Sequence, residues 1–153
     1  MIVYRLSKSI HAHDLSGKGA EINGGRWNSK GIALIYTSET RALCMAEIAV
    51  HTPLGILSLD YELITIEFPD HIKIHTLDFK NLSADWSSIP HAHSTQEIGD
   101  QFVKANKYLV IKVPSVIVKG EFNYLINPNH KDMKSVKIKS RESFNFDKRL
   151  FRK

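Results

Sequence analysis

The sequence predicts a single α+β domain, and three observations carry that prediction. Short runs rich in β-branched and aromatic residues recur along the chain, each closed by a proline or a polar turn. Two longer stretches carry helix signals. The two kinds of segment do not alternate as a regular βαβ chain would, so short mixed or antiparallel strands with two main helices are expected.

Each element has its own reason. Residues 2–6 read as a first short strand. Residues 11–28 are rich in Gly, Ser, Asn and Asp and read mainly as loop. Residues 32–37 form a compact apolar strand. Ser38 is expected to cap a helix with Glu39 in its first turn, where a negative charge suits the helix dipole. That helix runs to about His51 and stops at Thr52-Pro53. Residues 61–68 read as a strand ending at Pro69, and 72–77 as another. Residues 82–93 read as irregular. Ser94-Thr95-Gln96-Glu97 is a capping box, predicting a second helix to about Asn106. Residues 108–113 read as a strand stopped by Pro114. Short strands are expected near 116–118, 124–126, 135–139 and 143–146.

The 153 residues fit one domain, 1–153, with one core. No apolar run approaches the roughly 20 residues needed to span a bilayer. The first residues, Met1-Ile2-Val3-Tyr4-Arg5-Leu6, lack the features of a signal peptide. The single cysteine, Cys44, has no partner for an internal disulfide, which suits a reducing cytoplasm. Net charge is +5, concentrated in residues 131–153, where nine Lys or Arg face three acids. Such a tail attracts anions, nucleic acid included. An edge strand guarded by lysines explains it more simply, because the aromatic–basic pattern of RNA readers is missing.

The candidate chemistry starts in the loop Gly24-Gly25-Arg26-Trp27-Asn28, followed by Gly31. Paired glycines let a backbone approach a ligand closely, and Arg26 can present its planar fork to phosphate oxygens. Taken alone, a tight turn pinned by Trp27, with Arg26 in a surface ion pair, is the simpler reading. Tyr36, at the end of the next strand, is placed either to stack on a ring or to sit half-buried in the core. Glu47 is the only charge in the apolar run 42–50, where a carboxylate pays a desolvation penalty unless it is paired. His51 shares its helix face and is a candidate partner. Ser115 follows a strand, and Asn127-Pro128 is a turn signal by default. No G-x-S-x-G elbow surrounds Ser115, which argues against a hydrolase nucleophile.

Of the eight histidines, His11 and His13, His91 and His93, and His71 and His75 are spaced as pairs. They fall in expected loops and a strand, without H-E-x-x-H or a cysteine pair, so no metal is expected. Neither a P-loop nor a G-x-G-x-x-G turn is present, which argues against an ATPase or a Rossmann dehydrogenase.

Taken in order, these segments resemble the RES domain, the toxin half of the bacterial RES–Xre toxin–antitoxin modules. The matching residues are Gly24-Gly25-Arg26-Trp27-Asn28 with Gly31, Tyr36-Thr37-Ser38, and Ala46-Glu47 with His51. Further matches are Ile98-Gly99-Asp100, Val113-Pro114-Ser115, Asn123, Leu125-Ile126-Asn127-Pro128 with His130, and Phe144-Asn145-Phe146-Asp147 with Arg149-Leu150. Phe102, Lys119 and Lys131 depart from the family pattern, and none is a pocket residue.

The resemblance implies a fold like that of ADP-ribosyltransferases and an NAD⁺-consuming cytoplasmic enzyme. It places the family's arginine, tyrosine, glutamate and serine on Arg26, Tyr36, Glu47 and Ser115, with His51 and Asn127 near the pocket. Glu47 and Arg26 are the expected catalytic residues. Arg26 is expected to hold the pyrophosphate, Tyr36 to pack near nicotinamide, and Ser115 to bond the ribose or the nicotinamide end. Glu47 is expected to stabilise the oxocarbenium-like cation left when nicotinamide departs. The acceptor is water or phosphate; a host-cell protein is the alternative. A nucleic-acid-binding or ribonuclease toxin and a non-catalytic binding module are lesser alternatives. The resemblance further implies a helical, Xre-like antitoxin partner that blocks the pocket, a homodimer assembled with it, and contact with DNA only through the antitoxin.

Overall fold

The computed structural model describes residues 1–51, 60–147 and 149. Its strands are β1 (Ile2–Lys8), β2 (Ile35–Ser38), β3 (Tyr61–Glu67), β4 (Ile74–Thr76), β5 (Val110–Pro114), β6 (Phe122–Ile126) and β7 (Lys137–Phe144). Its helices are α1 (Lys18–Asn23), α2 (Arg41–His51) and α3 (His93–Ala105). All seven strands join one sheet in the order β4-β5-β6-β2-β1-β3-β7. Each neighbouring pair is antiparallel except β4–β5, which is parallel. The α+β class read from the sequence is the class observed.

Period-two alternation builds the core on both faces of the central strands. In β5, Val110 joins a cluster with Val3, Ile64, Ile66 and Phe68, while its neighbour Ile111 joins Trp27, Leu34, Phe102 and Leu125. In β6, Tyr124 and Ile126 enter the first cluster and Leu125 the second. Helix α3 covers the second face through Phe102 and Val103. Helix α2 lies near β1 and β2, and its Cys44 packs with Leu6 and Leu63.

Several local expectations give way to tertiary structure. The stretch 11–28 is not all loop, because α1 occupies Lys18–Asn23. Six residues are too few for a periodic signal, and Gly17 starts the helix with a left-handed φ of 71°. Ser38 does not cap α2; it ends β2 opposite Asn123, and Thr40 caps the helix by accepting from the Leu43 N–H at 3.0 Å. The capping box does not form either. Helix α3 begins two residues early, with Ala92 in the N-cap position, and Ser94 pairs with the Ser83 hydroxyl at 2.8 Å instead. The strand expected near 116–118 is a turn, because the Ser115 hydroxyl accepts from the Ile117 and Val118 N–H groups. The strands expected at 135–139 and 143–146 are largely one strand, β7, paired with the long β3. Helix α2 is less buried than its apolar composition predicts: only Leu43 and Cys44 are buried. The expected stop at Thr52-Pro53 and the matching residue Leu150 lie outside the described residues.

Candidate active site

The loop 24–28 is held by hydrogen bonds on nearly every side. The Gly25 N–H donates to the Asn28 carbonyl at 2.9 Å, closing a tight turn. Asn28 is fully buried, and its amide donates to the carbonyls of Ala20 and Ile32 at 2.8 and 2.9 Å. One face of α3 grips the same loop with residues spaced i, i+3 and i+4. Gln96 donates to the Gly25 carbonyl at 3.0 Å, and Asp100 accepts from the Ser29 N–H at 2.9 Å. Between them, Gly99 lets the helix press on the loop backbone. A Cβ there would stand 1.6 Å from the Trp27 carbonyl oxygen. Trp27 itself is buried in the core, as expected of an anchor.

This fixes Arg26. Its Nη1 donates to the carbonyls of Trp86 and Ser88 at 2.7 and 3.1 Å. These carbonyls orient the guanidinium without neutralising it, and no salt bridge to Arg26 occurs among the described residues. The surface ion pair that the loop alone suggested is therefore not formed. Burial lowers the Arg26 pKa, while the nearby Glu47 charge opposes that shift.

Tyr36 is tied at its hydroxyl, which donates to Asn28 Oδ1 at 2.7 Å and accepts from the Trp27 N–H at 3.0 Å. Burial drives its pKa up, so the phenol stays protonated. Gly25 makes room for it, since a Cβ at that position would stand 2.5 Å from the Tyr36 hydroxyl.

Glu47 lies one turn beyond the buried Leu43 and Cys44 of α2. Its Oε1 accepts from Asn123 Nδ2 at 2.6 Å and from the Ser115 hydroxyl at 3.2 Å. Its partners are thus on β6 and just after β5, not at His51 as the helix spacing suggested. Arg26, Tyr36, Glu47 and His51 all line one cavity of about 780 Å³. That is within the usual range for small-molecule sites, about 300–1,000 Å³.

Two sequence-chosen residues stand elsewhere. Ser115 does not line the cavity; its hydroxyl is engaged with Glu47 and two backbone N–H groups. Asn127 is fully buried outside it. Its amide donates to Asn106 Oδ1 at 2.9 Å, and its own Oδ1 accepts from the Asn129 N–H, the turn role its Asn-Pro sequence signals.

The structure also adds residues to the cavity that the sequence reading left unassigned. Arg5, on β1, donates to the Asp14 carbonyl, and burial lowers its pKa. Its signal was a lone charge inside an apolar strand. His91 lines the cavity with Arg26 and His51; burial first, then those two charges, lowers its pKa. Cys44 lines the cavity with a thiol pushed up to about 12 by burial. Asn123 matched the family pattern but carried no role until its bond to Glu47 was seen. Among the described residues, no group of three or more His, Cys, Asp or Glu is placed to hold a metal ion.

Residues 2–147 match the family model of the RES domain. The chain belongs to the RES domain family. This RES domain is 38% identical over 149 residues to a protein named Prs ADP-ribosylating toxin from Sphingobium sp. (strain YBL2), covering 96% of this chain and 92% of that one. It is 36% identical over 152 residues to Toxin Res of Yersinia enterocolitica, covering 98% and 99% of the two chains. It is 34% identical over 152 residues to Toxin Res of Photorhabdus laumondii, covering 98% and 97%. Its fold is similar to a chain in the crystal structure of the M. tuberculosis MbcT-MbcA toxin-antitoxin complex. The TM-score is 0.75 at 20% identity, covering 94% of this chain and 83% of that one.

Proposed function

We infer that this RES domain is the toxin of a toxin–antitoxin system and an enzyme acting on NAD⁺, and that it breaks the nicotinamide–ribose bond. The observation that carries the reading is the convergence of Arg26, Tyr36 and Glu47 from a loop, a strand and a helix onto one cavity. The relatives' names point the same way.

The chemistry follows from the geometry. Nicotinamide leaves as a neutral base from a cationic ring, so no strong general acid is required. The ribose left behind carries positive charge, as in glycoside cleavage. Glu47, tied through Oε1, offers its negative charge to that cation and its remaining oxygen to a ribose hydroxyl. Arg26, oriented but not neutralised, holds the pyrophosphate. Tyr36 cannot serve as a base, because its protonated hydroxyl is already spent on Asn28 and Trp27. It contributes its ring as a packing surface for nicotinamide. Ser115 acts by holding Glu47 and not by touching ribose.

The acceptor is water or inorganic phosphate in the first reading. Transfer of ADP-ribose to a protein is the second, favoured by the name of the Sphingobium relative. Incubation with labelled NAD⁺, with and without phosphate, separates them: free ADP-ribose or its phosphate supports breakdown, and label on protein supports transfer. The partner is an antitoxin, here proposed to be Xre-like, in a hetero-oligomer with a toxin dimer, and the setting is the cytoplasm. Glu47→Gln should lower NAD⁺ turnover on the order of 10²–10³-fold. Arg26→Ala should chiefly raise KM for NAD⁺. Wild-type turnover in Glu47→Gln would sink the assignment.

A further inference from the structure

The pairing of β2 with β6 sets Ser38 directly opposite Asn123. Facing residues on such a pair bring their side chains within reach, with Cβ atoms roughly 5 Å apart. The Ser38 hydroxyl donates to Asn123 Oδ1 at 2.9 Å, and Asn123 Nδ2 donates to Glu47 Oε1 at 2.6 Å. The sheet thus reaches across to helix α2 through two hydrogen bonds in series.

The chemistry permits only one direction for this relay. A carboxylate accepts and cannot donate, so the amide must turn its NH₂ to Glu47 and its oxygen to Ser38. The opposite flip would set two acceptors against each other. Ser38 is buried, and its hydroxyl lies between the Asn123 amide and the Cys44 thiol. Both donors to Glu47, Asn123 and Ser115, use the same oxygen. Oε2 accepts no hydrogen bond among the described residues, although Glu47 lines the cavity. A glutamate on an open helix face would sample several rotamers; this one is held by a short, charge-assisted bond of the stronger kind.

We propose that Asn123, oriented by Ser38, is a positioning residue that fixes which carboxylate oxygen Glu47 presents to the substrate. This rests on the reading of Glu47 as the ribose-facing carboxylate. Asn123 lines the same cavity, but its amide is engaged at both ends, by Ser38 and by Glu47, so its proposed route to the reaction is through Glu47.

The test measures nicotinamide release from NAD⁺ by the purified full chain. Asn123→Ala should lower kcat on the order of 10²-fold, the usual cost of a misplaced reacting group, with KM for NAD⁺ held within about twofold. Ser38→Ala, which loosens the amide without removing it, should cost about fivefold. Asn123→Asp should move the acid limb of the pH–rate profile upward, because two adjacent carboxyl groups resist joint ionisation. In the Glu47→Gln background, Asn123→Ala should cost nothing more, since its only route to the reaction is gone. A merely structural asparagine would instead multiply its loss with that of Glu47→Gln. That result overturns the proposal, as does a kcat for Asn123→Ala within about threefold of wild type. Should Asn123→Ala fail to fold, Ser38→Ala and Asn123→Asp carry the same comparison. Absence of turnover in the wild-type protein overturns the functional reading itself, and this role with it; normal wild-type turnover with indifferent variants overturns only the positioning role.

Discussion

His91 is the side chain through which pH is expected to act on ligand binding. Burial, together with the charges of Arg26 and His51, holds its imidazole below the ordinary histidine range near 6.5. The unfolded chain therefore takes up that proton more readily than the folded one. As pH falls below about 6.5, this site withdraws stability from the unliganded protein, and the loss is complete below the depressed native value. A phosphate bound at Arg26 reverses the local field and favours the protonated ring. The rise in melting temperature on adding NAD⁺ should accordingly be larger at pH 6 than at pH 8. His91→Gln should remove the difference, and an unchanged pH dependence in that variant would assign it to another group. His91 entered the sequence reading only as half of an apparent metal pair. Its partner His93 instead opens α3 and pairs with Glu97 at 3.2 Å.

At the level of elements, α3 is a clamp, and Gly99 is where it closes. Alanine is the better helix former by roughly 1 kcal/mol, so propensity alone favours Gly99→Ala. Overpacking against a backbone oxygen that has no room to retreat costs more, about 1–3 kcal/mol. Gly99→Ala should lower Tm by roughly 5 °C and cut NAD⁺ turnover, both measurable on one preparation. A variant at least as stable as wild type would show that the helix and loop do not press together. The same clamp marks how far the sequence could be read. Glu47 stood out because it was a lone charge in an apolar run, and Arg26 because glycines preceded it. Most strands were legible from β-branched and aromatic runs, and three of them, β3, β5 and β6, end at or near a proline. What could not be read was any feature fixed by a partner far along the chain. Asn123 opposite Ser38, Thr40 in place of Ser38 as the cap, and Ser94 drawn to Ser83 are all settled by tertiary contacts that no local pattern encodes. Asn127 was read as a turn residue and stands in a turn, whereas Ser115 turns the chain where a further strand was expected. Only the geometry separates them, one tied to Glu47 and the other to the end of α3.

Across the whole molecule, the basic excess has a structural address. Lys137, Lys139 and Arg141 stand exposed along β7, an edge of the sheet. Lys139 pairs with Glu67 at 3.1 Å and Arg141 with Glu62 at 3.6 Å, both on the neighbouring β3. Charges along an edge discourage another chain from adding a strand there. Replacing Lys137 and Lys139 together by valine should produce species larger than the wild type in light scattering after size exclusion. An unchanged size distribution would leave the lysines without that role. The two bonds that tether Glu47 span 68 and 76 residues of chain. Arg26, Tyr36 and Glu47 therefore leave the ribosome well before the residues that hold the carboxylate in place. At ordinary translation speeds the gap to Asn123 is roughly 4–15 s. During that interval the nascent chain carries the residues of its proposed active site without the side chains that hold the carboxylate, so the cell making this protein meets the assembled site only late in synthesis.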